Sequence, residues 1–137
     1  MYIDIELYEV FNCAENINVY DGGKILTYSA QDEEYKRILA SWYEMIDGAH
    51  QMPAYGVSLN RETVVAMKEG LWLEFEFGKI YESDGMPYKK LLINVQSGFS
   101  GFNLIRYNAK TGYDGRCFYY DLINKNMANL HDLLSNF

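Results

Sequence analysis

The chain has 137 residues, 49% hydrophobic and 23% charged, a balance typical of a folded domain rather than of a disordered segment. Its formal net charge of −7 argues against binding nucleic acid or an anionic membrane through a basic patch, but permits a basic partner. No apolar run approaches the roughly 20 residues that a bilayer-spanning helix needs. We therefore expect residues 1–137 to form a single domain without a membrane span.

The first 28 residues predict two strands separated by a polar segment. Apolar residues at positions 3, 5 and 7 alternate with Asp4 and Glu6, which is typical of a strand over residues 2–11 with one acidic face. Residues 12–23 are rich in asparagine and aspartate and end in a turn signal. Residues 24–28 predict a short strand.

Two helices are expected in the next part of the chain. Ser29, followed three residues later by Asp32, is typical of a helix start, and a 3.6-residue apolar stripe centred on Trp42 then predicts the first helix. At the centre of that stripe, Trp42 is expected to lie in the core. Residues 48–56 are interpreted as a loop. A shorter helix is predicted within residues 60–70, with three buried residues: Val64, Val65 and Met67.

The most informative pattern is the alternation of residues 71–82, in which glutamates separate large apolar residues. A period of two predicts a strand with one buried side and one side in solvent. The predicted solvent side carries Trp72, Glu74 and Glu76. This acidic and aromatic side is the most specific contact surface that the sequence offers.

Asp84 and Gly85 predict a two-residue hairpin turn after this strand. A plain two-residue loop would set the apolar residues of one strand opposite polar residues of the next. One additional residue, in a bulge at Gly78, removes this conflict and leaves Lys90 on the outer side with the glutamates. The bulge predicts three apolar cross-strand pairs: Phe77 with Leu91, Phe75 with Ile93, and Leu73 with Val95.

Two further strands, at about residues 102–108 and 116–122, and a terminal helix from residue 124 complete the pattern. The elements do not alternate as in βαβ units, so we expect an α+β fold. Its mainly antiparallel sheet should have about five strands, with a meander within residues 71–122, and should pack against two or three helices.

Few residues suggest catalysis or metal binding. The two histidines, His50 and His131, have no second histidine or cysteine at ligand spacing, so we predict no metal site and no cofactor. Cys13 and Cys117 lie far apart and no secretory signal is evident, so we expect a cytoplasmic protein in which both cysteines are reduced and packed. These features favour a protein that is not an enzyme.

Paired carboxylates provide the one enzymatic alternative. Glu74 and Glu76, like Asp4 and Glu6, are two residues apart on a predicted strand and so share a face. If the first strand lay beside residues 71–77, four carboxylates would be close together and at least one pKa would rise. That arrangement would suit acid–base catalysis or a divalent cation, whereas solvated carboxylates would have neither role.

Tyrosine is abundant, with 13 residues against 7 phenylalanines. Tyr120 and its neighbours place aromatic side chains on both faces of a strand, because consecutive residues alternate sides. Tyrosine suits both recognition surfaces and half-buried sheet faces. We assign Tyr120 to the predicted binding face.

These patterns favour a small acidic interaction or inhibitor protein that binds a macromolecular partner, with contacts from six residues: Asp4, Glu6, Trp72, Glu74, Glu76 and Tyr120. A basic protein suits the net charge, and mimicry of DNA by the carboxylates is a special case. One alternative is a small-molecule-binding domain, in which tyrosine hydroxyls and a carboxylate line a pocket between sheet and helices. Another is self-association through the same face. An exposed flat patch would favour a protein partner, whereas a shielded carboxylate in a pocket would favour a small molecule.

Overall fold

The structure is a computed structural model and describes residues 2–52 and 56–137. A 3-10 turn at Phe11–Cys13 follows the first helix. The helices are α1 Leu7–Val10, α2 Glu33–Ile46, α3 Asn60–Ala66 and α4 Ala128–Ser135. The strands are β1 Ile3–Asp4, β2 Ala14–Asp21, β3 Lys24–Ser29, β4 His50–Met52, β5 Val57–Ser58, β6 Leu71–Ser83, β7 Met86–Asn94, β8 Gly101–Tyr107, β9 Gly115–Arg116 and β10 Phe118–Asp121.

One sheet contains eight of the strands described, in the order β3-β2-β6-β7-β8-β10-β4, with β1 paired to the far end of β6. Its pairs are antiparallel except for β1 with β6, and β5 pairs with β9 separately. The α+β class, the mainly antiparallel sheet and the meander from β6 to β10 are therefore confirmed. The sheet is larger than the predicted five strands.

The additional strands come from segments that the sequence patterns misassign. Residues 7–13 are helical rather than extended, because Leu7, Val10 and Phe11 have the spacing of one helix face and all three are buried. The predicted polar segment contains β2, a central strand beside β6. The predicted loop at residues 48–56 contains β4, and its residues 53–55 lie outside the described residues.

The main core lies between the inner face of the sheet and helices α2 and α4. Trp42 is fully buried there, as predicted, and its ring packs against the rings of Phe11, Phe75 and Phe102. Such aromatic packing contributes beyond the burial of area alone. No helix within the described residues is long and apolar enough to cross a membrane.

The hairpin between β6 and β7 confirms the position of the predicted turn and bulge. Asp84 and Gly85 both have positive φ, as a two-residue hairpin turn of this kind requires. The register shifts between Glu76 and Tyr81, so that four residues of β6 lie opposite a single residue of β7. The bulge therefore contains three additional residues, where one was predicted.

The predicted cross-strand pairs are consequently wrong by two positions. Leu73 lies opposite Ile93 and Phe75 lies opposite Leu91. Side chains alternate between the two faces of a strand, so three additional residues change the facing of the strand in the same way as one. The apolar residues of both strands therefore still share the inner face. The bulge also marks the place where β6 changes its neighbour, from β2 at residues 71–77 to β1 at residues 81–82.

Helix α3 lies on the opposite side of the sheet from α2 and α4. Met67, just after the helix, is buried as predicted, and Thr63 is the buried residue within it. Val64 and Val65 are exposed, so their predicted burial is wrong. Thr63 and Met67 are four residues apart and so share one side of the helical segment, whereas Val64 and Val65 lie off that side and are in solvent.

Candidate functional site

Trp72, Glu74 and Glu76 share the outer face of β6, as the alternation predicts, but this face is not an open surface. The end of α3 and the turn after β8 lie over it. Trp72 is 6% exposed and Glu74 is 0% exposed. The predicted solvent-facing surface is therefore wrong at these two residues, because alternation determines which side a residue faces and not what covers that side. The cover forms a second apolar cluster of Met67, Trp72, Leu92 and Tyr113.

Trp72 fixes the connection between α3 and β6. Its indole N–H donates a hydrogen bond to the backbone carbonyl of Glu69 at 2.9 Å. Buried tryptophan usually finds such a partner for its polar edge. Trp72 thus stabilises the position of α3 and has little surface left for a partner.

Glu74 is the centre of a buried hydrogen-bonded cluster. Its Oε1 accepts from Asn18 Nδ2 at 2.9 Å and from the Tyr20 hydroxyl at 2.7 Å. Its Oε2 accepts from the Tyr113 hydroxyl at 2.5 Å. Three donors compensate much of the loss of hydration that a buried carboxylate suffers. Thr27 extends the cluster, since its hydroxyl donates to Asn18 Oδ1 at 2.9 Å.

The two tyrosines of this cluster remain protonated. Burial and then the negative charge of Glu74 raise the pKa of both Tyr20 and Tyr113 above the ordinary value of 10.0. Each hydroxyl therefore keeps its proton and donates it to Glu74. The cluster resembles the shielded carboxylate with tyrosine hydroxyls that the small-molecule alternative expects.

The loop that carries Tyr113 is tied to the start of α3. The backbone N–H of Tyr113 donates to Asn60 Oδ1 at 3.0 Å, and the Asn60 N–H donates to Asp114. The Ser58 hydroxyl donates to the Tyr113 carbonyl. These bonds hold the Tyr113 ring over the sheet and so keep Glu74 out of solvent.

Glu76 is the half-buried member of the predicted face. Its Oε2 lies 3.9 Å from Lys90 Nζ, which confirms the expected proximity of Lys90 to a glutamate. The same ammonium group lies 4.7 Å from the centre of the Tyr107 ring. The charge of Glu76 is thus partly compensated within the protein.

Asp4 and Glu6 lie far along the sheet from Glu74, because β1 pairs with β6 at Tyr81 and Glu82. The first strand therefore does not lie beside residues 71–77, and the four carboxylates are not close together as the enzymatic alternative requires. Asp4 and Glu6 instead line a cleft of about 490 Å³ together with Glu82 and Asp84. Of the described residues that line this acidic cleft, none is lysine, arginine or histidine.

Tyr120 lies on the other face of the sheet from Glu74. It is buried in the main core, opposite Phe102 in the neighbouring strand, and their rings are in contact. Its assignment to the binding face is therefore wrong. Its neighbour Tyr119 points to the outer side, as the alternation of β10 requires.

Within residues 2–52 and 56–137, no three histidine, cysteine, aspartate or glutamate side chains are grouped to hold a metal ion. Cys13 and Cys117 are both free thiols. Cys117 is buried, whereas Cys13 is exposed and does not have the predicted packing role.

Three residues of the Glu74 cluster are not among the six predicted contact residues: Asn18, Tyr20 and Tyr113. Two of them carried a usable signal, since Asn16, Asn18 and Tyr20 alternate with Ile17 and Val19 as in a half-buried strand. The asparagines obscured that signal because they favour turns. No local pattern indicates Tyr113, which reaches Glu74 only through the tertiary fold.

Comparison with known proteins gives no relative: no family model, no curated protein and no solved structure matches the chain.

Proposed function

We propose that this chain is a small acidic cytoplasmic binding protein that docks a basic segment of a partner protein in the acidic cleft. The observation that supports the proposal is the composition of that cleft. Asp4, Glu6, Glu82 and Asp84 line it without any cationic residue among the described lining. A partner with lysine or arginine side chains would neutralise these charges.

The carboxylates of the cleft are available to a partner. None of the four forms an ion pair within 4.0 Å in the part of the chain that the structure describes. Asp84 does accept a hydrogen bond from Gln51 Nε2 at 2.7 Å, which fixes its orientation. Unpaired carboxylates on one side of a protein of net charge −7 would accelerate the encounter with a basic partner.

The N-terminal segment also supplies apolar contact area. Tyr2, Ile3 and Tyr8 are among the exposed large hydrophobic residues, and they flank Asp4 and Glu6 in the chain. Aromatic side chains beside charges are typical of interface anchors. These three side chains do not line the cleft itself, but they lie in the same segment as two of its carboxylates and could extend the contact beyond it.

The proposal is tested by replacing two of the acidic residues of the cleft with lysine. In the Asp4→Lys/Glu6→Lys variant, both changes are at exposed positions, so the fold should be retained. An oligolysine peptide should associate about tenfold more slowly with this variant at low ionic strength than with the wild type. Stopped-flow fluorescence with a labelled peptide gives the rate, and increasing salt should remove the difference.

The matched control is Glu44→Lys/Asp132→Lys, which changes the net charge equally at exposed positions on α2 and α4. It should slow association much less than the cleft variant. Equal slowing by both variants would show that the peptide senses only the net charge, and the cleft would then not be the docking site.

A further inference from the structure

One end of the large sheet is formed by β3, which has an open edge. β3 and β4 are the two ends of the strand order, and β3, with six residues, is the longer of the two in the part of the chain described. Its register with β2 is continuous, without a bulge. Edge strands are usually protected from further pairing by proline, by bulges or by several charges. β3 has no proline, and its one charged residue is Lys24 at the start of the strand.

The turn between β2 and β3 determines which backbone groups of β3 point to the open edge. Gly22 and Gly23 both have positive φ, as in a two-residue hairpin turn. The residues that flank such a turn, here Asp21 and Lys24, form a pair that exchanges two backbone hydrogen bonds. Hydrogen-bonded and non-hydrogen-bonded pairs alternate from there along an antiparallel ladder. Every second residue of β3, starting at residue 25, therefore directs its N–H and C=O groups away from β2.

Four backbone groups at this edge have no hydrogen-bond partner among residues 2–52 and 56–137. The residues directed outward are Ile25, Thr27 and Ser29. Ser29 uses both of its groups within the chain, since its N–H donates to Asp32 Oδ2 at 2.8 Å and its C=O accepts from the Asp32 N–H at 2.9 Å. The N–H and C=O groups of Ile25 and Thr27 have no such bonds. Both residues are exposed, Ile25 to 58%, so the fold does not cover them.

The spacing of these four groups fits a second copy of the same strand. When two β3 strands run antiparallel across a two-fold axis, Ile25 of each copy can lie opposite Thr27 of the other. In this register the two residues exchange two hydrogen bonds at each of two symmetric positions, so all four groups of each copy are paired. A shift in either direction sets one of these residues opposite itself. The other then lies opposite Gly23 in the turn or opposite Ser29, whose groups are already bonded.

The side chains are complementary in the same register. Leu26 lies opposite Leu26 of the second copy at the two-fold axis, and Lys24 lies opposite Tyr28. Burial, followed by the negative charges of Glu34 and Asp32, raises the pKa of Tyr28, which places both carboxylates near its hydroxyl. In the described residues, neither carboxylate forms an ion pair within 4.0 Å. Lys24 of each copy therefore meets an acidic region of the other.

We propose that β3 pairs with β3 of a second copy of this chain, antiparallel and across a two-fold axis, to form a dimer with a continuous sheet. Two short strands bury less than the roughly 1,200 Å² of a stable interface, so we expect a dissociation constant of about 0.1–1 mM. The pairing uses the sheet edge and not the face of β6 for which the sequence suggested self-association. No residue of β3 lines the acidic cleft, so neither proposal depends on the other.

The test measures the mass of the protein and the exchange of its edge amides under the same conditions. Sedimentation velocity gives the mass from about 0.02 to 2 mM, in about 0.15 M salt to screen the repulsion between chains of net charge −7. A reductant is included because Cys13 is exposed. Hydrogen exchange of the ¹⁵N-labelled protein is followed by NMR over the same range. The Ile25 and Thr27 amides should exchange about two- to sevenfold more slowly at the highest concentration, and the unbonded, exposed Gly98 amide should not change.

Lys24→Glu and Lys89→Glu form a matched pair of variants. Both reverse the charge of an exposed lysine, but Lys89 lies on β7, which β2 and β6 separate from β3. Lys24→Glu should weaken the dimer by about tenfold or more, because it brings like charges together, and Lys89→Glu should weaken it by at most about twofold.

A chain that stays monomeric up to about 2 mM would overturn the dimer and would leave the edge of β3 to a strand of a different protein. Unchanged exchange of the Ile25 and Thr27 amides in a dimer would show that the copies associate through another surface. Equal weakening by the two lysine variants would show the same. Either result would overturn the pairing of β3 with itself.

Discussion

The number of donors around Glu74 leads to a quantitative prediction for Tyr113→Phe. The substitution removes one hydroxyl and keeps the ring, so the packing with Met67, Trp72 and Leu92 is retained. In the described residues, the Tyr113 hydroxyl is the donor to Glu74 Oε2, whereas Oε1 has two donors. Tyr113→Phe therefore leaves one buried carboxylate oxygen without a hydrogen bond.

The expected loss follows from that single hydrogen bond. Bonds to charged groups contribute about 1.5–3 kcal/mol, and no cavity term is added because phenylalanine fills nearly the same volume. We expect the free energy of unfolding to fall by about 2 kcal/mol, a sizeable part of the roughly 5–15 kcal/mol that stabilises a typical domain. Urea denaturation followed by tryptophan fluorescence measures this change, with the denaturant slope unchanged.

Tyr107→Phe is the matched control. The Tyr107 ring packs against Tyr113, with their centres 4.9 Å apart, but its hydroxyl forms no hydrogen bond with the described residues. We expect a change within about 0.5 kcal/mol. Glu74→Gln combined with Tyr113→Phe completes a cycle whose coupling energy should be about 1 kcal/mol or more. Losses of equal size for Tyr113→Phe and Tyr107→Phe would refute the assignment of Tyr113 as the necessary donor.

Two further predictions concern the covered face and the buried tyrosines. Trp72→Ala should lower the free energy of unfolding by about 3–5 kcal/mol, whereas Val65→Ala, at an exposed position, should change it by less than about 0.5 kcal/mol in the same urea assay. Burial raises the pKa of Tyr88 and Tyr120 above 10.0, so the unfolded state releases these protons first as the pH rises. The stability that these two tyrosines contribute is complete below about pH 10 and is lost as the pH rises above it. Urea unfolding at about pH 8 and at about pH 11 measures this loss. The loss should be smaller in the Tyr120→Phe variant, which has one buried hydroxyl fewer to ionise.

The candidate site was only partly accessible to sequence reasoning. Alternation correctly places Trp72, Glu74 and Glu76 on one side of β6, and Lys90 does lie near Glu76. The interpretation of that side as solvent-facing fails because α3 and Tyr113 cover it. Asp4 and Glu6 are exposed and acidic as expected, but the residues that join them, Glu82 and Asp84, come from the far end of β6 and its turn.

Short-range patterns determined the features that depend on neighbouring residues. They include the helix around Trp42, the period of β6, the turn at Asp84 and Gly85, and the presence of a bulge near Gly78. Each follows from local backbone geometry and from the burial of one side of an element. The number of bulged residues was not determined, because one and three additional residues preserve the same apolar face.

Only the tertiary structure decided what each face contacts. Glu74 can be buried because three side chains distant in sequence supply its hydrogen bonds: Asn18, Tyr20 and Tyr113. Each of them is 39 or more residues away from Glu74 along the chain. Val64 and Val65 are exposed, whereas Thr63 and Met67, four residues apart, form the buried side of this segment. Periodicity reports the side on which a residue lies, whereas burial depends on long-range packing that no local pattern encodes.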